Sequence, residues 1–227
     1  MNLETYYGVL RDFNGGQFDS INKDYQAMCL AQDQMIASLQ SKGANVKGWK
    51  IVEDSNTFII SPIFDFQVMG NTGACFTPQQ VTGFEVELCY QVTVPETDQL
   101  VDAVVRVSKP KAAIEIMRAK VNPLSHVACD FFFNYGIIVS DDAVEGDFKL
   151  KNDAAGMSYG YSSTDRVLLD ERQRYLKQGL IECVRRGYKG EFFFMTGSLN
   201  GMLEVDTCFG TNKIMTVEKE VISFEVM

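Results

Sequence analysis

The sequence predicts an α+β fold built on a mixed, rolled β-sheet. About ten segments have the two-residue period of β-strands, and only about three have the period of a long helix. The two kinds do not alternate regularly, which argues against a doubly wound α/β fold. A chain of 227 residues can bury one sizeable core. We therefore expect a helical N-terminal segment over residues 1–45 and one main domain over residues 46–227.

Three segments carry the helical period. Apolar residues recur at steps of three and four over residues 20–41 and again over residues 166–186, and Gly43 and Gly187 are placed to end these two helices. A third helix is predicted over residues 95–108, because a proline starts it and another follows its end. Residues 1–20 show no clear period and predict a loose segment with at most one short helix.

The predicted strands are short apolar or alternating runs bounded by turn residues. They cover residues 47–52, 57–66, 83–92, 113–117, 131–139, 146–150, 156–162 and 191–195, and residues 70–83 are predicted to form a loop. The segment 83–92 alternates most strictly. Its apolar face, which we expect to pack against the core, consists of Phe84, Val86, Leu88, Tyr90 and Val92.

Two acids lie on the opposite face of that strand. Glu85 and Glu87 point the same way and are separated by roughly 6.6 Å along the strand, so their flexible side chains can converge on one small hard cation. Without a cation the two charges repel each other. The alternative is a half-solvated antiparallel strand with both acids in water.

Composition excludes several classes of function. A formal net charge of −9 argues against a nucleic-acid partner, which requires a basic surface. The six cysteines are scattered without CxxC spacing, and no leader-like segment precedes them, which predicts reduced thiols in the cytoplasm. No apolar run approaches the ~20 residues of a membrane span. Any Ser-His-Asp or Cys-His mechanism would have to use His126, the single histidine.

Three motifs in this order carry a family resemblance: Glu85-x-Glu87 on one strand, Glu115 on the next, and Thr-Gly-Ser-Leu at 196–199 after a buried strand. They resemble the fumarylacetoacetate hydrolase superfamily, and most closely its branch of 2-keto-4-pentenoate hydratases and 4-oxalocrotonate decarboxylases. Further matches to this branch are Gly-Trp-Lys-Ile-Val at 48–52, Ile-Phe-Asp at 63–65, Cys-Asp at 129–130 and Gly190. The resemblance runs from about residue 20 to residue 227.

The resemblance implies a fumarylacetoacetase C-terminal-like sheet, with residues 46–227 as the catalytic domain. Glu85, Glu87 and Glu115 would then bind a divalent metal, Mg²⁺ or Mn²⁺. A set of three carboxylates without His or Cys ligands selects the same ions. A dication would also remove the mutual repulsion of the three acids. The branch commonly assembles into homo-oligomers, so we expect one here, with a small 2-oxo acid as the substrate and neither nucleic acid nor membrane as a partner.

Four further residues are candidate catalytic groups by their place in these motifs. Lys50 would lie beside the substrate carboxylate or enolate and move a proton, and the alternative is an ordinary exposed lysine. Lys120 lies near the sequence position at which the branch usually carries an arginine, after the third metal ligand. Asp130 would hold Lys50 or a water, or else cap a turn. Asp65 would be a general base or a turn residue.

The motif at 196–199 supplies candidate substrate-binding residues. Thr196 and Ser198 would place a hydroxyl or a neighbouring backbone N–H on a substrate oxygen. His126 has no counterpart in the pattern and is predicted to be structural.

The resemblance also suggests the reaction. The third acid is Glu115, where the hydrolases of the superfamily carry Asp, and no His precedes residue 126. Both features favour hydration of a short unsaturated 2-oxo acid over hydrolysis. A 2-oxo acid decarboxylase is the alternative within the branch. Another is a non-catalytic binding or assembly subunit, because Phe131 and Glu53 depart from the branch pattern.

Overall fold

Two β-sheets and three α-helices, joined by turns and short 3-10 helices, make up the described part of the chain. The computed structural model describes residues 1–12, 25–54, 57–94, 106–121 and 127–227. The helices are α1 (Leu3–Asp12), α2 (Tyr25–Ser41) and α3 (Arg166–Arg185). Within the described residues no helix is both long and apolar enough to cross a membrane.

Fourteen strands are formed by the described residues. They are β1 (Val46–Asp54), β2 (Thr57–Phe64), β3 (Val68–Met69), β4 (Ala74–Phe76), β5 (Gly83–Val94), β6 (Arg106–Val107), β7 (Lys111–Met117), β8 (Asn134–Val139), β9 (Phe148–Asn152), β10 (Met157–Tyr161), β11 (Gly190–Ser198), β12 (Leu203–Glu204), β13 (Gly210–Thr216) and β14 (Glu220–Val226).

The larger sheet has the order β2-β1-β11-β5-β7-β8-β3, with β6 and β12 also pairing with β5. It is mixed, because β1 runs parallel to β11 and β3 parallel to β8, whereas β5 is antiparallel to both of its main neighbours. The smaller sheet has the order β10-β9-β13-β14-β4. This architecture confirms the predicted α+β class with a mixed sheet.

Strand β5 lies at the centre of the larger sheet. One of its faces packs against the hydrophobic core, and the other carries the acids. Its predicted core side chains are all buried in the main hydrophobic cluster: Phe84, Val86, Leu88, Tyr90 and Val92. Burying each such side chain stabilises the fold by about 1.5–3 kcal/mol. On the opposite face Glu87 is buried, Glu85 is half-buried and Gln91 is exposed.

Two of the predicted long helices are found. Helix α3 is capped by Asp165, whose side chain accepts a hydrogen bond from the Leu168 backbone N–H at 3.0 Å, and Gly187 takes a left-handed φ of 77° just beyond its end. Helix α2 begins at Tyr25, and the predicted start near residue 20 lies outside the described residues.

The predicted helix at 95–108 needs correction at its end. Residues 95–105 lie outside the described part, but Arg106 and Val107 pair with β5 as strand β6. Pairing with an existing sheet edge therefore overrides the local helical pattern there. The third helix that the structure shows is α1, in the segment where at most one short helix was predicted, and it buries Tyr6, Val9 and Leu10.

The predicted strand at 131–139 begins three residues late. Phe131, Phe132 and Phe133 have φ of 47°, 50° and 63°, a left-handed conformation that bulky residues rarely adopt, and β8 starts only at Asn134. Each such residue costs on the order of 1–3 kcal/mol. The Phe131 ring packs 5.8 Å from the ring of Phe64, and this aromatic packing offsets part of the cost. In the predicted loop 70–83, residues 74–76 form the edge strand β4.

Candidate metal centre

The pairing of β5 with β7 brings the three predicted metal ligands together. Its antiparallel register places Glu85 directly opposite Glu115 and Glu87 opposite Ala113. The two-residue step along β5 keeps Glu87 on the same face as Glu85. One oxygen from each carboxylate lies within 4.8 Å of the other two. Since Glu87 and Glu115 are both 0% exposed, the alternative in which these acids project into water does not describe them.

The hydrogen bonds of this cluster are incomplete. Glu87 Oε2 accepts from the Gly197 backbone N–H at 2.8 Å. Glu115 Oε1 lies 2.6 Å from Lys50 Nζ and accepts from Asn134 Nδ2 at 3.1 Å. The other oxygens, Glu87 Oε1 and Glu115 Oε2, are buried and have no hydrogen-bond partner among the described residues. Buried carboxylate oxygens without partners are costly, so these residues fit a divalent cation that would coordinate them.

The charges of the cluster also favour a bound dication. Burial and the charge of Glu115 raise the pKa of Glu85 to about 6, although Lys50 opposes this. Burial, together with Glu115 and Glu85, also raises the pKa of Glu87. Three ionised carboxylates and one ammonium would leave a net charge of −2 (three negative, one positive) in a buried site. A dication balances that charge.

Lys50 lies on β1 and is only 7% exposed, so the alternative of an ordinary exposed lysine is wrong. Burial opposes its charged form, but the charges of Glu115 and Glu85 outweigh burial and raise its pKa, which keeps the ammonium protonated. Besides Glu115, its Nζ approaches the Phe132 carbonyl at 3.2 Å and Met117 Sδ at 3.7 Å. A thioether is a weak acceptor, so the third N–H is available to a stronger one.

Two buried amides support Glu115. Asn134, which donates to Glu115, accepts at Oδ1 from Gln67 Nε2 at 3.0 Å, and Gln67 Oε1 accepts from the Phe64 backbone N–H at 3.0 Å. Both amide side chains are 0% exposed. Sequence reasoning missed both residues. The available signal was a polar amide within an apolar run: Asn134 within 131–139, and Gln67, two residues after Asp65, within 62–69.

The cluster opens into a cleft of about 340 Å³. Besides Lys50, Glu85 and Glu87, the cleft is lined by Ile51, Val52, Glu53, Met117, Phe132, Phe133, Arg172, Tyr175, Gly197 and Ser198. Arg172 and Tyr175 project from α3, and sequence reasoning assigned neither of them a role. Glu53 Oε2 accepts from the Tyr175 hydroxyl at 2.9 Å and pairs with Arg174 at 3.0 Å.

The two predicted substrate-binding residues are placed differently. Ser198 lines the cleft, and its Oγ has no hydrogen-bond partner among the described residues. The Thr196 hydroxyl instead donates to the Leu88 carbonyl at 2.9 Å and is buried, so it holds β11 against β5. Between them Gly197, at a left-handed φ of 88°, turns its N–H onto Glu87.

Asp130 does not contact Lys50, contrary to one of its predicted roles. It forms a buried ion pair with Arg118, in which Oδ1 lies 2.8 Å from Nη2, and its Oδ2 accepts from the Val121 backbone N–H at 2.8 Å. The sequence offered no sign of this partner, because the two residues meet only when the turn at 131–133 folds over the end of β7.

Two other predicted catalytic residues are also absent from the lining of the cleft. Asp65 accepts from Asn45 Nδ2 at 2.8 Å and from the Phe66 backbone N–H at 2.9 Å. Burial works against its charged form, but these hydrogen bonds outweigh it and lower its pKa, as suits a turn residue. Lys120 is exposed just beyond β7. His126 lies outside the described residues.

Comparison with known proteins identifies the fold. Neither a protein-family model nor a curated protein sequence matches the chain. Two solved structures of 4-oxalocrotonate decarboxylase from Pseudomonas putida match over 100% of this chain and 99% of theirs: one, with calcium and acetate, at a TM-score of 0.70 and 13% identity, and one, with magnesium and adipate, at 0.68 and 12%.

A fumarylacetoacetate hydrolase family protein from Yersinia pestis also matches. The TM-score is 0.50 at 13% identity, over 82% of this chain and 94% of that protein. At such identities the comparisons concern the fold. For the fold, the predicted resemblance is confirmed: the chain has the architecture of the fumarylacetoacetate hydrolase superfamily, in the form found in 4-oxalocrotonate decarboxylase.

Proposed function

We propose that the chain is a divalent-metal-dependent hydratase that adds water to a short unsaturated 2-oxo acid. One observation carries the proposal: Glu87, which lines the cleft, and Glu115 beside it each have a buried carboxylate oxygen without a partner among the described residues, next to the charged ammonium of Lys50. Mg²⁺ or Mn²⁺ fits the all-carboxylate ligand set. The magnesium and calcium complexes of the structurally similar decarboxylase support a divalent ion.

When bound, the metal supplies Lewis-acid polarisation of the 2-oxo group. Lys50 holds its third N–H toward the enolate oxygen, in place of the weak contact with Met117. Ser198 supplies a hydroxyl on the same wall of the cleft. For a 2-hydroxy-2,4-dienoic acid, a proton moves from the enol oxygen to C5, and water then adds its hydroxyl to C4 and its proton to C3. The product is a 4-hydroxy-2-oxo acid.

Decarboxylation is a second candidate reaction, which one observation favours. Hydration needs a group that takes a proton from water, and neither Asp65 nor Asp130 lines the cleft. Glu53 does line it, but Glu53 already accepts hydrogen bonds from Tyr175 and Arg174. Loss of CO₂ requires no such base. The bond to the leaving carboxylate breaks, its electron pair moves through the conjugated chain to the 2-oxo oxygen, and Lys50 protonates that oxygen.

An absorbance assay with two substrates tests the proposal. The protein is mixed with Mg²⁺ or Mn²⁺ and either 2-hydroxypenta-2,4-dienoate or 4-oxalocrotonate. Loss of the dienoate signal with formation of a 4-hydroxy-2-oxo acid supports hydration, whereas conversion of 4-oxalocrotonate with release of CO₂ supports decarboxylation. Glu115→Gln should abolish either activity, and Glu191→Gln, which alters an exposed acid on β11, should preserve it.

If neither substrate reacts with any tested metal, the hydratase and decarboxylase proposals both fail, and a non-catalytic subunit becomes the better explanation. Assembly into a homo-oligomer, a cytoplasmic location, and the division into a segment 1–45 and a catalytic domain 46–227 remain parts of the proposal.

A further inference from the structure

A second pocket of about 430 Å³ lies beside helix α1, and we call it the α1 pocket. One wall is the stripe of Leu3, Tyr7 and Arg11, which follow one another at steps of four residues on the helix. The pocket meets the metal cleft at the end of β7. Met117 lines the cleft and the next residue, Arg118, lines the α1 pocket, because successive side chains of an extended chain point to opposite sides. None of the described residues lines both, so the α1 pocket is separate from the cleft.

The α1 pocket is lined by positive charge, although the protein as a whole carries a net charge of −9. Its charged lining residues are Arg11, which is exposed, and Arg118, which is only 4% exposed. None of the described residues that line the pocket is acidic. Because Asp130 pairs with Arg118, the charge of Arg11 remains in excess. An excess positive charge in a pocket of an acidic protein favours an anionic ligand.

Hydrogen-bond donors without a full set of acceptors line the α1 pocket. Arg118 Nη1 donates to the Ala119 carbonyl at 3.0 Å and Nη2 to Asp130 Oδ1 at 2.8 Å. Arg118 Nε is buried and has no partner among the described residues. Gln80 Oε1 accepts from the Thr77 backbone N–H at 3.0 Å, which leaves the NH₂ group of this amide as the side that can donate to a ligand. A group that only accepts hydrogen bonds, above all a carboxylate, suits these donors.

Aromatic and aliphatic side chains supply the rest of the lining. Tyr7 and Tyr135 both line the α1 pocket, together with Leu3 and Val121. The guanidinium carbon of Arg118 lies 5.6 Å from the centroid of the Tyr7 ring. Burial raises the pKa of Tyr7 to about 12 against the opposing charge of Arg118, and burial also raises the pKa of Tyr135, so both hydroxyls stay protonated. A pocket of this size and lining fits a carboxylate attached to a flat ring better than a bare inorganic anion.

We propose that the α1 pocket is a second binding site, which takes a small aromatic carboxylate without a metal. The carboxylate pairs with Arg11 and accepts hydrogen bonds from the remaining donors of Arg118. The ring packs against Tyr7 and Tyr135. The ligand is bound and not converted, because the pocket contains none of the three clustered acids. The inference is independent of the proposed function, since no lining residue of the metal cleft takes part.

Methyl NMR with two matched probes tests the inference. Protein with isotope-labelled Leu and Val methyl groups is stripped of metal by a chelating resin. It is then titrated with benzoate and with benzamide, which has the same ring and no charge. We expect benzoate to shift the methyl signals of Leu3 and Val121 and to leave that of Val52, in the metal cleft, unchanged. Benzoate should bind at least about tenfold tighter than benzamide, the lower end of the range for a hydrogen bond to a charged group.

Three variants sharpen the test. They are made at Arg11 because Arg118 also holds Asp130, so that a change there would affect the fold. Arg11→Met should weaken benzoate binding about threefold, as expected for an exposed charge, and should leave benzamide binding unchanged. Arg11→Glu places an acid at the pocket and should weaken benzoate binding further. Arg166→Met removes an exposed charge from α3 and should change neither. Circular dichroism and thermal unfolding establish that each variant is folded.

Equal binding of benzoate and benzamide by the wild type would overturn the inference, as would the absence of any shift at Leu3 and Val121. Shifts confined to Val52 would place benzoate in the metal cleft and would overturn it as well. The same holds if folded Arg11→Glu binds benzoate as tightly as the wild type. Because the test uses metal-free protein, its outcome does not depend on the proposed metal centre, and either proposal can fail while the other stands.

Discussion

Glu115 and Arg118 are three residues apart at the end of β7, and both are buried, but their surroundings differ. Arg118 pairs with Asp130, whose two carboxylate oxygens both accept hydrogen bonds, although Arg118 Nε has no partner among the described residues. Glu115 and Glu87 each retain a buried oxygen without a partner among the described residues. A buried charge alone therefore does not mark a site. Where both oxygens of a buried carboxylate have donors, as in Asp130, the acid serves the fold, and where one oxygen has none, room is left for a ligand.

The largest effect on stability is expected from breaking the Arg118–Asp130 pair. Arg118→Met would leave the Asp130 carboxylate buried without its cation, which costs roughly 3–5 kcal/mol in the free energy of unfolding. Urea unfolding measures this loss. Arg166→Met, in an exposed position, should change the free energy of unfolding by less than about 0.5 kcal/mol. Equal effects of the two variants would show that the Arg118 pair is not structural.

A substitution in the cluster of Glu85, Glu87 and Glu115 should weaken metal binding. Glu87→Gln removes a carboxylate that the metal would need, so the affinity for Mn²⁺ should fall at least tenfold and on the order of a hundredfold. Electron paramagnetic resonance of free Mn²⁺ measures this affinity. Glu191→Gln is the matched control. A wild type that binds Mn²⁺ no better than Glu87→Gln would rule out the metal centre.

Acid should weaken metal binding. Metal binding requires ionised carboxylates, and the pKa of Glu85 is raised to about 6. Below pH 6 protons compete with the metal, so the Mn²⁺ affinity should fall about tenfold per pH unit for each proton displaced. The raised pKa of Glu87 adds to this slope. Mn²⁺ titrations from pH 5 to pH 8 test it, and a constant affinity across that range would contradict the expected competition.

The smallest effect concerns stability without metal. The pKa of Glu87 is raised in the folded state, so its ionised form destabilises the fold at a pH above that pKa, and acidification restores the stability. Glu87→Gln removes this charge and should stabilise the metal-free protein by on the order of 1 kcal/mol at pH 8. Thermal unfolding in EDTA measures the gain, which should shrink at pH 5. A variant less stable than the wild type at both pH values would argue against repulsion in the cluster.

The sequence predicted the acids of the site better than the groups that surround them. Alternation on β5 placed Glu85 and Glu87 on one face, and a short apolar run placed Glu115 on a strand. The shared order of motifs then suggested a common site. These are local properties, which the residues themselves determine.

What the sequence did not predict depends on contacts between distant segments. Arg172 reaches the cleft only because α3 docks against β11, and Arg118 meets Asp130 only because the chain reverses between β7 and β8. The left-handed turn at 131–133 contradicts the β-propensity of three phenylalanines. Such placements follow from tertiary packing, which periodicity cannot reveal.

The turn at 131–133 connects helix α1 to the metal cluster through aromatic packing. The Tyr6 ring stacks on the Phe131 ring at 6.4 Å and an interplanar angle of 16°. The carbonyl of the next residue along the turn, Phe132, accepts a hydrogen bond from Lys50 Nζ. Helix α1 thus supports, through Phe131, the turn that places the Phe132 carbonyl beside Lys50, although none of its described side chains lines the cleft. A substitution at Tyr6 is therefore expected to displace the Phe132 carbonyl that accepts a hydrogen bond from Lys50.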